Sequence, residues 1–209
     1  GMFGEPLDVN NSKIDILCGG SQKALSAPPG LTMVWVSDRA FETMQNRKTS
    51  IKAFYANLLL IKDYYENQWF PYTMPASDIM GLRVAIDNYL KDAGFQKRHE
   101  RLAKAVREAV EKAGLKLYLE SGFSNNVTVI EIPEGITEDE ILSGLRDEFG
   151  ILISGCFDVL KGKVVRIGHM GENANKEDIA QTLAGLQKIL ESHGIKLACE
   201  MKGEFLLSC

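Results

Sequence analysis

The sequence predicts an α/β chain with a strand-rich first part and a small α+β unit at its end. Three observations carry this. Two short apolar segments flank a Gly-Gly-Ser turn near the start (residues 14–17 and 31–36). A long run from 77 to 114 repeats apolar residues three and four apart, the spacing of one helix face. From Leu115 onward, short β-branched stretches alternate with helical patterns that carry their own start and stop signals. The expected organisation is residues 1–76 as a first domain, 77–114 as a connecting helix or helix pair, and 115–209 as the α+β domain.

Residues 2–13 are polar and irregular, and Gly1 ahead of Met2 reads as the remnant of an expression tag. Ile14, Ile16 and Leu17 form a strand that runs into Gly19-Gly20-Ser21-Gln22-Lys23. Leu31 to Val36 reads as a buried strand, after which Ser37 caps a short helix. Residues 54–68 mix aromatics and leucines without clear periodicity, and part of this stretch reads as helix. Pro71 and Pro75 keep the segment from Phe70 to Pro75 irregular. Ser77 caps the long helical run, which Gly94 interrupts, leaving one kinked helix or a pair.

In the last part, Leu115, Leu117 and Leu119 alternate as a strand, and 127–132, 151–153 and 164–167 are further strands. Thr137 and Glu140 form a capping box, and Gly150 ends that helix. Asn175 caps the final helix, which stops at Gly194. This β-β-α-β-β-α order implies an antiparallel sheet with helices on one face. The tail after Ile195 reads as strand or disorder.

A chain of 209 residues with 45% apolar content can bury a sizeable core. A net charge of −4 argues against nucleic acid as a main partner. The longest apolar run is far too short to span a membrane, and the N-terminus carries no signal-peptide pattern, so a cytoplasmic setting is expected. The four cysteines, Cys18, Cys156, Cys199 and Cys209, are scattered without a metal-ligand spacing, so no metal site is expected. Cys18 reads as a small apolar filler. The Glu138-Asp139-Glu140 cluster reads as a solvated helix face.

Two places invite chemistry. A glycine turn lets the backbone approach an anionic group closely, and a lysine fixed on it can attack a carbonyl. Lys23 therefore suits a Schiff base, although a lone loop lysine is most often an ordinary surface residue. Arg166, in Val165-Arg166-Ile167-Gly168-His169-Met170-Gly171, can offer a planar pair of donors to a carboxylate. Taken alone it too reads as a surface residue. His169 reads as a loop histidine without an evident partner and receives no catalytic role.

The whole string from Asp15 through Gly20-Ser21-Gln22-Lys23 to Gly30-Leu31-Thr32-Met33-Val34 resembles the pyridoxal-phosphate attachment site of class V aminotransferases. The form Ser-Gln-Lys-Ala-Leu-Ser-Ala-Pro-Pro-Gly is most similar to the serine–pyruvate and alanine–glyoxylate branch. The cysteine desulfurase branch usually carries histidine where Gln22 stands.

The resemblance covers nearly the whole chain but corresponds to the C-terminal half of a family member. It implies the end of the large domain and the small domain of a fold-type I transferase. It also implies pyridoxal 5'-phosphate as cofactor, a small amino acid and a 2-oxo acid as substrates, and a homodimer. Lys23 would hold the cofactor and move the substrate proton. Gln22 and Thr73 would donate to the cofactor phosphate, and Arg166 would bind the substrate carboxylate. Phe70 takes a cofactor-side position where relatives often carry tyrosine, and it has no hydroxyl to donate unless Tyr72 substitutes. The aspartate that pairs with the pyridine nitrogen has no counterpart in these 209 residues. The competing expectation is a catalytically inactive remnant that folds and self-associates.

Overall fold

The structure, a computed structural model, describes residues 1–209. The chain divides into two compact units. One comprises Met2 and Leu7–Asn88; the other comprises Gly1, Phe3–Pro6 and Tyr89–Cys209.

The first unit is built on an antiparallel pair, β1 (Ile16–Gly20) and β2 (Thr32–Val36), in the register Ile16↔Val36, Cys18↔Val34 and Gly20↔Thr32. Ser37 caps α1 (Asp38–Gln45) by accepting from the Ala40 amide, as the sequence predicts. The Ser37 hydroxyl also donates to Asp15, which pairs with Arg39, so the cap is tied back to the base of β1. The expectation of a buried second strand is not met: Val34 and Trp35 are each 41% exposed, and Ile16 is 49% exposed. Apolar composition alone cannot say whether a second layer covers a strand, and here this two-stranded sheet leaves its apolar side chains open. Cys18 is exposed as well, not a filler.

Within 54–68 the only helical element is a single 3-10 turn at Leu58–Leu60, capped by Asn57. The aromatics there do not form a helix face. Phe54, Tyr55, Tyr64, Phe70 and Tyr72 gather instead into a cluster with ring centroids 4.6 to 5.8 Å apart. α2 (Ala76–Lys91) begins directly after Pro75, placing Ser77 inside its first turn rather than at its cap.

In the second unit α3 (Phe95–Lys112) is a separate helix, which settles the question of a kink. Asp92 accepts from the Gly94 amide and holds the break. β3 (Val127–Glu131) pairs antiparallel with β4 (Val164–Gly168), with Val129 opposite Arg166. The expected strand at 115–119 shrinks to a single bridge, Leu117↔Ile130, and the one expected at 151–153 does not form, the next residue making the bridge Ser154↔Arg166. Each makes two ladder hydrogen bonds before the chain turns away.

α4 (Glu138–Phe149) carries the complete Thr137–Glu140 capping box and ends at Gly150, whose φ of 66° is left-handed. Asn175 caps α5 (Lys176–Ser192). The tail is neither strand nor disorder: α6 (Met201–Ser208) buries Met201 and Phe205 completely. These two side chains join Leu102 and Val106 of α3, Leu145 of α4, Ile167 of β4, and Leu183 and Leu190 of α5 in one core.

Candidate active site

The lysine turn is set by Ser21, a residue that sequence reasoning passed over. It is fully buried. Its amide donates to the Leu31 carbonyl, its hydroxyl donates to the Pro28 carbonyl at 2.6 Å, and its carbonyl accepts from the Ala27 amide. One residue thus closes the loop across its whole width. Ala24, Leu25 and Ala27 point into the interior of this unit, and the Ser26 amide donates to the Lys23 carbonyl at 2.8 Å. Gln22 and Lys23 are both exposed, at the apex of a turn whose backbone is pinned from within. A signal for this was present, since a serine between a glycine pair and a small-residue loop is a common closing residue.

Gln22 folds back over Gly20, and a Cβ at Gly20 would lie 2.5 Å from Gln22 Oε1. A larger residue at position 20 would therefore displace the amide. Thr73 is exposed on the irregular segment before α2. Phe70 lies half-buried in the aromatic cluster, 5.8 Å from the Tyr64 ring and 5.6 Å from the Tyr72 ring. The Tyr72 hydroxyl cannot readily replace the one Phe70 lacks, because it already faces the Phe54 and Tyr55 carbonyls at 3.1 and 2.8 Å. Lys23, Gln22, Phe70 and Thr73 all belong to the first unit, and no hydrogen bond joins their side chains directly.

Arg166 belongs to the second unit. It sits in the middle of β4 rather than at its end, with Val129 opposite on one side and the Ser154 bridge on the other. Its Nε donates to the Gly155 carbonyl at 2.7 Å, and its guanidinium lies 5.6 Å from the centre of the Phe157 ring. The two terminal nitrogens form no ion pair within the chain.

The segment after Arg166 is fixed by two buried histidines. His169 is fully buried and far from partnerless: Thr128 Oγ1 lies 2.8 Å from Nε2, and the Asn125 carbonyl lies 3.2 Å from Nδ1. A carbonyl only accepts, so Nδ1 carries the proton and Nε2 accepts from the threonine. His99 on α3 is arranged alike, donating from Nδ1 to the Phe95 carbonyl and accepting the Gly171 amide at Nε2. Burial lowers both pKa values, that of His169 to about 4. Both rings are neutral struts. Asp139 and Glu140 are exposed, as a solvated helix face requires, but Glu138 is half-buried and accepts from the backbone amides of Cys156 and Gly162.

Among relatives, the profile of the family described as Aminotransferase class-V matches residues 1–183. The chain belongs to the class V aminotransferase family. It is 37% identical over 207 residues to the pyridoxamine–pyruvate transaminase of Mesorhizobium japonicum, covering 95% of this chain and 51% of that protein. With the serine–glyoxylate aminotransferase of Arabidopsis thaliana it shares 36% identity, over 87% of this chain and 46% of the other. The crystal structure of the ureidoglycine–glyoxylate aminotransferase from Bacillus subtilis superposes with a TM-score of 0.91 at 30% identity, covering 98% of this chain and 55% of that one. The fold is that of part of a fold-type I transferase. The chain spans about half the length of the curated relatives it matches.

The family implies pyridoxal phosphate, and the residues of the first unit fit it at two ends. Lys23 offers an exposed amine on a rigid turn, and the amide of Gln22 and hydroxyl of Thr73 are uncommitted donors of the kind a phosphate takes.

Proposed function

We propose that this chain carries the lysine-bearing and carboxylate-binding portion of a pyridoxal-phosphate aminotransferase. The observation that carries the reading is the Lys23 turn: an exposed amine beside an exposed amide, on a backbone locked by the buried Ser21. When bound, pyridoxal phosphate supplies the electron sink that allows a bond at the amino acid's α-carbon to break. Lys23 Nζ is the amine that would hold the cofactor through its carbonyl carbon, and the same amine would serve as the base that moves the substrate's α-proton. Gln22 and Thr73 orient the phosphate through their side-chain donors, and Phe70 contributes an apolar wall without a hydrogen bond. Arg166 presents its two terminal nitrogens to the substrate carboxylate.

The amino group would pass between a small amino acid, such as serine or alanine, and a 2-oxo acid, such as glyoxylate or pyruvate. The relatives' names support this class of exchange. We place the working form in a homodimer in which the segment from Phe70 to Pro75 reaches the neighbouring cofactor. The exposed apolar side chains of the first unit favour a second reading, a self-associating domain without activity. Amino transfer from alanine to glyoxylate, assayed with added cofactor, separates the two. Turnover that disappears in Lys23→Ala supports the transaminase, and equal background in both proteins supports the inactive domain.

A further inference from the structure

Glu138 stands at the first turn of α4, where a carboxylate is favoured by the helix dipole, yet its oxygens are directed away from its own helix. Oε1 accepts from the Cys156 amide at 3.2 Å and Oε2 from the Gly162 amide at 2.7 Å. The two amides flank a hairpin-like loop that carries Phe157 and a 3-10 turn at Asp158–Leu160. One carboxylate thus closes the loop at both ends, as Ser21 closes the lysine turn. The approach is so close that a Cβ at Gly155 would lie 1.3 Å from Glu138 Oε1, so any larger residue there would push the carboxylate out of its place.

The closed loop does two things to Arg166. The Gly155 carbonyl, next to the clamped Cys156 amide, accepts Arg166 Nε, and the Phe157 ring lies against the guanidinium. The backbone of Ser154 is paired with Arg166 on the same side. With Nε held and an aromatic ring beside the guanidinium, the paired terminal nitrogens are the donors left to bind.

We propose that Glu138 is a positioning residue for Arg166, and that the loop it closes aims the two terminal guanidinium nitrogens at a ligand carboxylate. The ligand half of this statement rests on the reading of Arg166 given above; the positioning half does not.

The test is nitrogen-15 NMR of the full chain, following the Arg166 Nε proton and using pyruvate as the probe carboxylate. In the native protein that proton exchanges slowly with water and its signal shifts as pyruvate is added. In Glu138→Gln, which cannot accept both amides, exchange is faster by at least about tenfold and the pyruvate Kd rises by roughly the same factor. Glu138→Asp keeps the charge but withdraws the carboxylate by one methylene, and gives a smaller change in the same direction; it serves should the glutamine variant fold poorly. A melting curve for each variant separates the effect from general unfolding. Variants that fold and keep native exchange at Arg166 Nε overturn the proposal. If native protein gives no pyruvate-dependent shift, Arg166 is not a carboxylate anchor, and the exchange rates alone decide the role of Glu138.

Discussion

Ser21 and His169 show how single polar residues, buried and fully paired, hold the two candidate chemical groups in place. Replacing Ser21 with alanine removes the hydroxyl that spans to the Pro28 carbonyl and leaves that acceptor short of a partner. The expected cost is about 1–3 kcal/mol, read from a denaturant melt, and the exposed turn loosens with it. Nothing at Lys23 itself changes, so a loss of cofactor binding in Ser21→Ala would come from the backbone.

His169 makes a pH prediction. Burial is the first cause of its lowered pKa, and Arg107 and His99 add to it. The folded value of about 4 lies below the ordinary 6.5, so between those values the unfolded chain binds more protons than the folded one. The stability this group contributes is present above pH 6.5 and is lost as pH falls toward 4. His99, lowered in the same sense, acts in the same direction. Thermal melts between these pH values should fall steadily, and His169→Gln should flatten the slope. An unchanged slope in the variant would show that the titration lies elsewhere.

At the scale of elements, the caps were legible in the sequence because their chemistry is local. Ser37, Thr137 and Asn175 each accept an amide three residues ahead, so a window of a few residues contains the whole signal. Thr137→Ala should cost about 1 kcal/mol in a melt of the full chain. What failed at this scale depended on distant partners. α6 has weak local patterning, and its burial comes from packing on α5 and on α3, the latter far back in the chain. Phe205→Ala should therefore destabilise by about 3–5 kcal/mol although it lies near the C-terminus, where truncation is usually tolerated. The segment at 115–119 alternates as a strand should, yet it contributes one bridge, and the apolar run at 151–153 contributes none before the bridge at Ser154, because pairing length is set by the partner strand and not by the segment itself.

The candidate site divides along the same line. Lys23, Gln22 and Arg166 were visible as motif residues. Ser21 stood in the same motif, but its closing of the loop onto Pro28 and Leu31 was not read from it, nor was the contact of Thr128 with His169, 41 residues away. The backbone partners of Glu138 were not legible either, because only the fold brings Cys156 and Gly162 to it.

For the whole molecule, the second unit has a closed core of four helices and a strand pair, whereas the first leaves Ile16, Val34, Trp35 and several tyrosines open. Coverage of about half of each relative is in keeping with that contrast. No helix of the chain is long and apolar enough to cross a membrane. The central claim is that Lys23, among all the amines of this chain, is built to hold a cofactor carbonyl. Its most direct measurement is to add pyridoxal phosphate to the protein, reduce with borohydride, and locate the added mass by peptide mapping in native protein and Lys23→Ala. The account predicts a visible absorption band and a single stable adduct, on Lys23, both absent from the variant. An adduct spread over surface lysines, unchanged by Lys23→Ala, would contradict it.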